Sequence, residues 1–299
     1  MKHNKFKFSI IIPTYNRALL LKRCLDSLCS QTYRDFEVIV CDDGSTDETN
    51  EIINQFEDKL QLKYIYEANW GGPARPRNNG IKESSGDWLC FLDSDDWWRS
   101  DKLEKCIPFL NDYDIIYHDL FVVSETTSGE IDKASVFKTR SLEGDMLRDL
   151  LINGNPIANS SVVVRKEIID LVGEITEDRN LIAIEDFDYW VRITFHTKRF
   201  LYIQEPLGYY WLGSNISQRL SHIEKEKFFF KKHSSQLSIV DQKTARKVLN
   251  YRIARLYHIN EEYQKAFKSY LKAITTKARI KYFVNPIIGS LLAILNVKK

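Results

Sequence analysis

The run Phe8-Ser-Ile-Ile-Ile-Pro-Thr-Tyr-Asn-Arg17 is apolar almost throughout its first five residues and turns polar after Pro13. A strand that alternates apolar with polar residues keeps one face in water, whereas an unbroken apolar run suits a strand covered by helices on both faces. Three more runs of this kind follow at residues 36–41, 62–66 and 88–92. Helical spacing of apolar residues fills the intervals at 19–28, 47–56, 74–82 and 102–110. Regular alternation of strand and helix predicts βαβ units and an α/β fold with a mostly parallel, Rossmann-like sheet flanked by helices. A fifth strand is expected at 115–123.

Beyond Ser124 the pattern loosens. Residues 125–138 are polar and turn-rich and read as a loop or a marginal hairpin. Order returns as a strand at 160–165, an amphipathic helix at 186–197, and a strand at 200–211 in which Pro206 and Gly208 mark bends. From His222 onward the pattern is helical, with two short antiparallel helices over 254–274 joined near Asn260. The expected division is an α/β domain at 1–220 and a helical C-terminal appendage at 221–299.

The 299 residues carry 43 basic and 41 acidic side chains, a net charge of +2, which gives no general attraction to nucleic acid. Cys24, Cys29, Cys41, Cys90 and Cys106 form no C-x-x-C pair, so they read as reduced, buried thiols rather than zinc or redox ligands. The first eight residues lack an apolar signal region, and the apolar stretch at 283–297 is too short and broken to span a bilayer. These features predict a cytoplasmic protein. The basic, apolar C-terminal region, with Lys231, Lys232, Lys243, Arg246, Lys277, Arg279, Lys281, Lys298 and Lys299, offers peripheral contact with the inner face of the cell membrane.

Ligands of open α/β sheets bind beyond the carboxyl ends of the strands. Three of those ends are unusual here: Pro13-Thr14-Tyr15-Asn16-Arg17, Asp42-Asp43-Gly44-Ser45 and Asp93-Ser94-Asp95-Asp96. Neither G-x-G-x-x-G nor G-x-x-x-x-G-K-[ST] occurs, which argues against dinucleotide-binding and P-loop folds. Five carboxylates on one sheet edge repel one another unless a cation or hydrogen-bond donors compensate. Hard oxygen donors select Mg²⁺ or Mn²⁺, and such ions complete their shell with water and substrate phosphates.

Taken in order, Ser9-Ile-Ile-Ile-Pro-Thr-Tyr-Asn-Arg17, Cys41-Asp-Asp-Gly-Ser-Thr-Asp47, Ala74-Arg-Pro-Arg-Asn-Asn-Gly-Ile81 and Phe91-Leu-Asp-Ser-Asp-Asp96 resemble the motifs of family 2 glycosyltransferases. The resemblance covers residues 6–215 and implies a GT-A fold. Carried over residue by residue, it implies that Pro13, Thr14, Tyr15 and Arg17 surround the nucleotide base and that Asp43 accepts a hydrogen bond from it. It implies that Arg77 approaches the diphosphate. Asp93-Ser94-Asp95 matches the D-x-D motif, with Asp93 and Ser94 on the nucleotide sugar and Asp95, together with Asp93, on the metal.

Glu185-Asp186 matches the family's E-D motif, which makes Asp186 the candidate general base, with Glu185 and Asp188 as alternatives. Asp186 opens a predicted helix, whose macrodipole is expected to keep it ionised near neutral pH. The implied activity is inverting transfer of a hexose from a nucleotide-diphosphate sugar, UDP-linked by expectation, to a hydroxyl of a glycan or lipid-linked oligosaccharide in bacterial surface-polysaccharide biosynthesis.

Residues 211–217 depart from the family's Arg-x-His-containing stretch, which removes a His contact from that segment. Trp97 and Trp98 read as packing residues rather than a sugar-stacking pair. Two rival readings stand beside the transferase. A sugar nucleotidyltransferase requires a Gly-rich loop after the first strand, which this sequence lacks. A non-catalytic nucleotide-sugar-binding module predicts erosion of the D-x-D stretch or the base, and both are intact.

Overall fold

The computed structural model describes residues 7–125, 131–213 and 220–273. The chain enters on β1 (Phe8–Thr14), α1 (Ala18–Cys29), β2 (Phe36–Asp42), α2 (Thr49–Asn54), β3 (Leu62–Tyr66), α3 (Ala74–Glu83) and β4 (Trp88–Phe91). Then come β5 (Trp97–Trp98), α4 (Lys102–Cys106), β6 (Ile115–Glu125), β7 (Ile131–Phe137), α5 (Met146–Asn153), β8 (Val163–Arg165), α6 (Lys166–Val172) and α7 (Glu185–Ile193). The series closes with β9 (Phe200–Trp211), α8 (His222–His233), α9 (Ile239–Ile259) and α10 (Tyr263–Ala273).

Two compact units divide these elements. The first comprises residues 1–143, 156–177 and 185–213; the second comprises 144–155, 178–184 and 214–299. The first unit is built on a nine-stranded sheet in the order β3-β2-β1-β4-β8-β6-β9-β5, with β7 paired to β6. Strands β1 to β4 pair in parallel, as the βαβ reading requires. The short β8 then lies antiparallel between β4 and β6. The fifth predicted strand therefore joins the sheet one place further out than its neighbour in sequence.

Side chains of a strand point alternately to opposite faces. In β1, Phe8, Ile10 and Ile12 meet Leu21, Cys24, Leu25 and Leu28 of α1, residues spaced three or four apart on one stripe of that helix. Ile11 points the other way, toward α3, where Gly80 allows close approach. A Cβ at Gly80 stands 2.4 Å from Ile11 Cγ2 and 3.1 Å from Cys41 Sγ.

Residues 131–137 form β7 and pair with β6, so of the polar stretch after Ser124 the described residues up to Phe137 are strand. β9 runs unbroken through the two expected bends. The β6–β9 register shifts on either side of Asp119, which is opposite Pro206, a residue with no N–H to give the ladder. Helices α5 and α6 add to the elements expected from sequence.

In the second unit Ile223, Ile253 and Leu256 form one small apolar cluster and Ala254, Ala266 and Tyr270 another. The turn near Asn260 lies where expected, but the helix before it, α9, is a single 21-residue element. The segments 1–6, 214–217 and 283–297, and the basic positions Lys277, Arg279, Lys281, Lys298 and Lys299, lie outside the described residues.

Gly80→Ala forces Ile11 or the α3 backbone to move, an overpacking cost of about 1–3 kcal/mol. At roughly 2–4 °C per kcal/mol for a domain of this size, the midpoint of thermal unfolding followed by circular dichroism should fall by several degrees; an unchanged midpoint would contradict the packing of α3 on β1.

Candidate active site

Parallel pairing aligns Thr14 with Asp42 and Ile11 with Phe91, so the segments after β1, β2 and β4 emerge on one edge of the sheet. Local hydrogen bonds stitch the first two together. Asn16, in the left-handed conformation at φ 49° that Asn tolerates, donates its N–H to Ser45 Oγ at 2.8 Å and accepts from the Thr46 N–H at 2.7 Å. Asp42 accepts from the Ser45 N–H and the Tyr64 hydroxyl. Asp43 is buried and accepts from the N–H groups of Trp70 and Gly71 at 2.7 and 3.0 Å and from Asn69 Nδ2 at 3.3 Å. Its carboxylate thus holds the 69–71 turn.

Arg77, only 3% exposed, occupies the centre of the site. Its Nη2 donates to Asp93 Oδ1 at 2.7 Å and its Nη1 to Glu185 Oε1 at 2.5 Å. Asp93 Oδ1 also accepts from Asn159 Nδ2 at 3.0 Å, and the Asp93 N–H donates to Ser160 Oγ at 3.1 Å. Asp95 is half-buried and forms an ion pair with Arg17. Asp96, 2% exposed, accepts from the Trp211 N–H at 2.9 Å and from the Ser160 hydroxyl.

Burial outweighs Arg17 and, with Asp93, lifts the Asp95 carboxyl above its ordinary range; burial and then Asp95 and Asp93 lift Asp96 further. The Asp95 carbonyl accepts from Arg23 Nη2 at 2.9 Å, and the Arg23 guanidinium lies 3.8 Å from the Trp97 ring and 4.4 Å from that of Trp211. Trp97 stacks on Tyr209 and Trp98 donates to the Ser160 carbonyl, so both tryptophans pack the frame of the site.

Asp186 opens α7 beside Glu185 and is half-buried. Burial first, and Glu185 second, push its carboxyl up to about 7, against the lowering influence of Arg77 and the Phe187 N–H. This corrects the expectation that the helix terminus keeps it fully ionised at neutral pH. A helix end contributes about 0.3–1 kcal/mol, under one pK unit, too little to offset burial next to another acid. Of the two alternatives, Glu185 is held by Arg77 and Asp188 is fully buried against the Thr176 hydroxyl.

Among the residues singled out from sequence, Tyr15 is well exposed, and Arg17, Asp93, Asp95 and Asp186 are half-buried. Pro13, Thr14, Asp43, Arg77 and Ser94 are buried. Asp93, Asp95, Arg17, Arg77 and Asp186 form one electrostatic cluster. Arg77 stands behind Asp93 with both terminal nitrogens engaged.

Sequence reasoning missed Asn159, Ser160, Arg23 and Tyr210. The polar run Asn159-Ser-Ser161 ahead of an apolar strand is the one local signal that marks any of them. Among the described residues no three His, Cys, Asp or Glu side chains converge on a common point. A Mg²⁺-type ion needs only one or two carboxylates besides phosphate and water. Asp95, whose carboxyl burial and then Asp93 raise, and its neighbour Asp93 carry the hard oxygen donors such an ion takes, and Arg17 holds the place of a cation at Asp95.

The family model described as glycosyl transferase family 2 matches residues 9–172. Poly(ribitol-phosphate) beta-N-acetylglucosaminyltransferase TarS of Staphylococcus aureus is 35% identical over 150 residues, 49% of this chain and 26% of TarS. Poly(ribitol-phosphate) beta-glucosyltransferase of Bacillus spizizenii is 30% identical over 232 residues, 75% of this chain and 35% of that protein. The chain thus spans about a quarter to a third of these curated relatives.

The structure of TarS 1–349 with UDP-GlcNAc superposes with a TM-score of 0.56 at 19% identity, covering 95% of this chain and 91% of that one. Mannosyltransferase PcManGT from Pyrobaculum calidifontis, with GDP-Man and Mn²⁺, gives 0.63 at 16% identity, covering 98% and 81%. These neighbours are GT-A glycosyltransferases, and the fold is theirs.

An acid whose pKa is raised by folding binds its proton more tightly in the folded state, so its contribution to stability is complete below the ordinary carboxyl range and is lost as pH rises through about 7. Asp95 and Asp96 act in the same sense. Thermal midpoints should therefore decline from pH 5 toward pH 8, and Asp186→Asn should flatten that decline and be the more stable protein at pH 8. A mutant with the wild-type slope would remove Asp186 as its source.

Proposed function

The chain belongs to glycosyl transferase family 2, and from that membership we propose that it transfers a hexose from a nucleotide-diphosphate sugar, UDP-linked in the first instance, to a hydroxyl of a glycan or lipid-linked acceptor with inversion. The observation that carries this reading is the Arg77 bridge. One buried guanidinium ties Asp93, the first acid of the D-x-D stretch, to Glu185, the neighbour of Asp186. Donor-binding acids and a proton acceptor thereby share one rigid support, as single displacement at a sugar carbon requires.

In this reading Asp186 takes the proton of the acceptor hydroxyl as that oxygen attacks the anomeric carbon. A pKa of about 7 suits the role, since a base works best when its pKa lies near the operating pH. Tyr15, Arg17 and the neighbouring Pro13, Thr14 and Asp43 line the nucleotide end, and Ser94 and Asp93 meet the sugar end. Asp95, with Asp93, is the ligand pair for Mn²⁺ or Mg²⁺. Such an ion supplies positive charge to the departing diphosphate.

The poly(ribitol-phosphate) glycosyltransferase names of the relatives and the TarS complex with UDP-GlcNAc support a UDP-sugar donor and a hydroxyl-bearing polymeric acceptor. Arg77, expected near the diphosphate, supports that end of the site through its contacts with Asp93 and Glu185. No helix among the described residues is long and apolar enough to cross a membrane. Contact with the inner membrane face through the C-terminal region belongs to the same proposal, because lipid-linked acceptors reside there.

Purified protein incubated with a panel of nucleotide sugars and Mn²⁺ should release nucleoside diphosphate, and chelation with EDTA should suppress the release. Asp186→Asn should lower turnover about 10²–10⁴-fold with UDP affinity, read by calorimetry, essentially retained. The reading fails if no donor is consumed, or if Asp186→Asn turns over at the wild-type rate.

A further inference from the structure

β6 is flanked along its outer half by β7 on one side and β9 on the other. Phe137, the last residue of β7, is opposite Leu120, and Tyr210 of β9 is opposite Val122. Paired residues of adjacent strands project to the same face, and Leu120 and Val122 are two positions apart, so both rings rise from one face of the sheet. Their centroids are 6.2 Å apart with the planes inclined at 32°. Tyr209 and Trp211 project to the opposite face, where Tyr209 stacks against Phe121 and both meet Trp97.

Tyr210 joins this aromatic pair to the acids. The next residue, Trp211, donates its N–H to Asp96 and fixes the end of β9 to the D-x-D stretch. Burial raises the Tyr210 phenol, and the carboxylates of Asp96, Asp93, Asp95 and Asp186 act on it in the same direction. Tyr210 therefore immediately precedes the residue that anchors β9 to the acidic stretch. Phe137 is 41% exposed and carries the aromatic surface outward from there.

An aromatic face offers flat apolar contact to the C–H face of a pyranose, while carboxylates at its edge accept from sugar hydroxyls. A linear polyol has no such face. We propose that Phe137 and Tyr210 form the platform on which a pyranose ring of the acceptor stacks, presenting its hydroxyl toward Asp186; this rests on the transferase reading above.

Saturation-transfer NMR on the full chain in the presence of UDP, with methyl β-D-glucopyranoside and methyl N-acetyl-β-D-glucosaminide as probes, tests the platform directly. Transfer should concentrate on ring C–H protons. Affinity should fall about tenfold in Phe137→Ala and recover in Phe137→Trp, which restores an aromatic face at an exposed position. In parallel, the ratio of glycoside-stimulated to glycoside-independent UDP release should fall in Phe137→Ala through the acceptor KM rather than kcat.

The platform is overturned if neither glycoside binds the wild type saturably, if Phe137→Ala binds them as the wild type does, or if ribitol 5-phosphate displaces them with equal potency in wild type and Phe137→Ala. The two proposals separate cleanly. Absence of UDP release from any donor, with glycoside binding lost in Phe137→Ala, sinks the transferase reading and keeps the platform. Normal transfer with an unchanged acceptor KM does the reverse.

Discussion

A guanidinium removed from water must find its counter-charges close by. Arg77, on a helix between β3 and β4, meets that demand with Asp93 at the end of β4 and Glu185 at the start of α7. Depriving such a group of one partner leaves an uncompensated buried charge at a cost of about 3–5 kcal/mol. The pair of contacts therefore fixes α3, the acidic stretch and α7 relative to one another. Burial would lower the Arg77 pKa, but its acidic neighbours outweigh that and hold it above the ordinary value, so it stays charged at any working pH.

Around this fixed cation the site gathers more acid than base. Asp93, Asp95, Asp96 and Asp186 act on one another, and three of the four carboxyls are raised above their ordinary range. Burial is the largest cause in each case. A sheet edge in this condition destabilises the fold as it ionises and is relieved by any cation it can draw in. A charge-poor donor such as Ser160 helps only locally, by linking the Asp93 backbone to the Asp96 carboxylate. That tension is what the metal-bound diphosphate of the proposed reaction would relieve.

The aromatic side chains around the site divide by strand parity into two groups. One face of β9 contributes Tyr209 and Trp211, which with Trp97 and Arg23 brace the backbone of Asp95. The other contributes Tyr210, facing Phe137. A one-residue slip of β9 would exchange these roles, since every side chain would change face. The register shifts opposite Pro206 thus set which rings brace the acids and which form the proposed platform.

The parallel half of the sheet and the acidic ends of its strands were legible in sequence, because a strand covered on both faces writes its burial into consecutive residues and the turn that follows must carry the chemistry. Pro13 to Arg17, Asp42-Asp43 and Asp93 to Asp96 could be assigned to one edge from order and spacing alone. The partners of those residues could not. Glu185 lies 108 positions from Arg77, Asn159 lies 66 from Asp93, and Trp211 lies 115 from Asp96.

Nothing in the local pattern encodes contacts at such separations, and the antiparallel insertion of β8 that brings Asn159 and Ser160 to the site depends on three residues of strand. Burial of Asp186 beside Glu185, and with it a carboxyl titrating near 7, likewise emerged only in three dimensions. Sequence determines which groups exist and which turn each occupies; the distance between charges, and hence their ionisation, belongs to the folded chain.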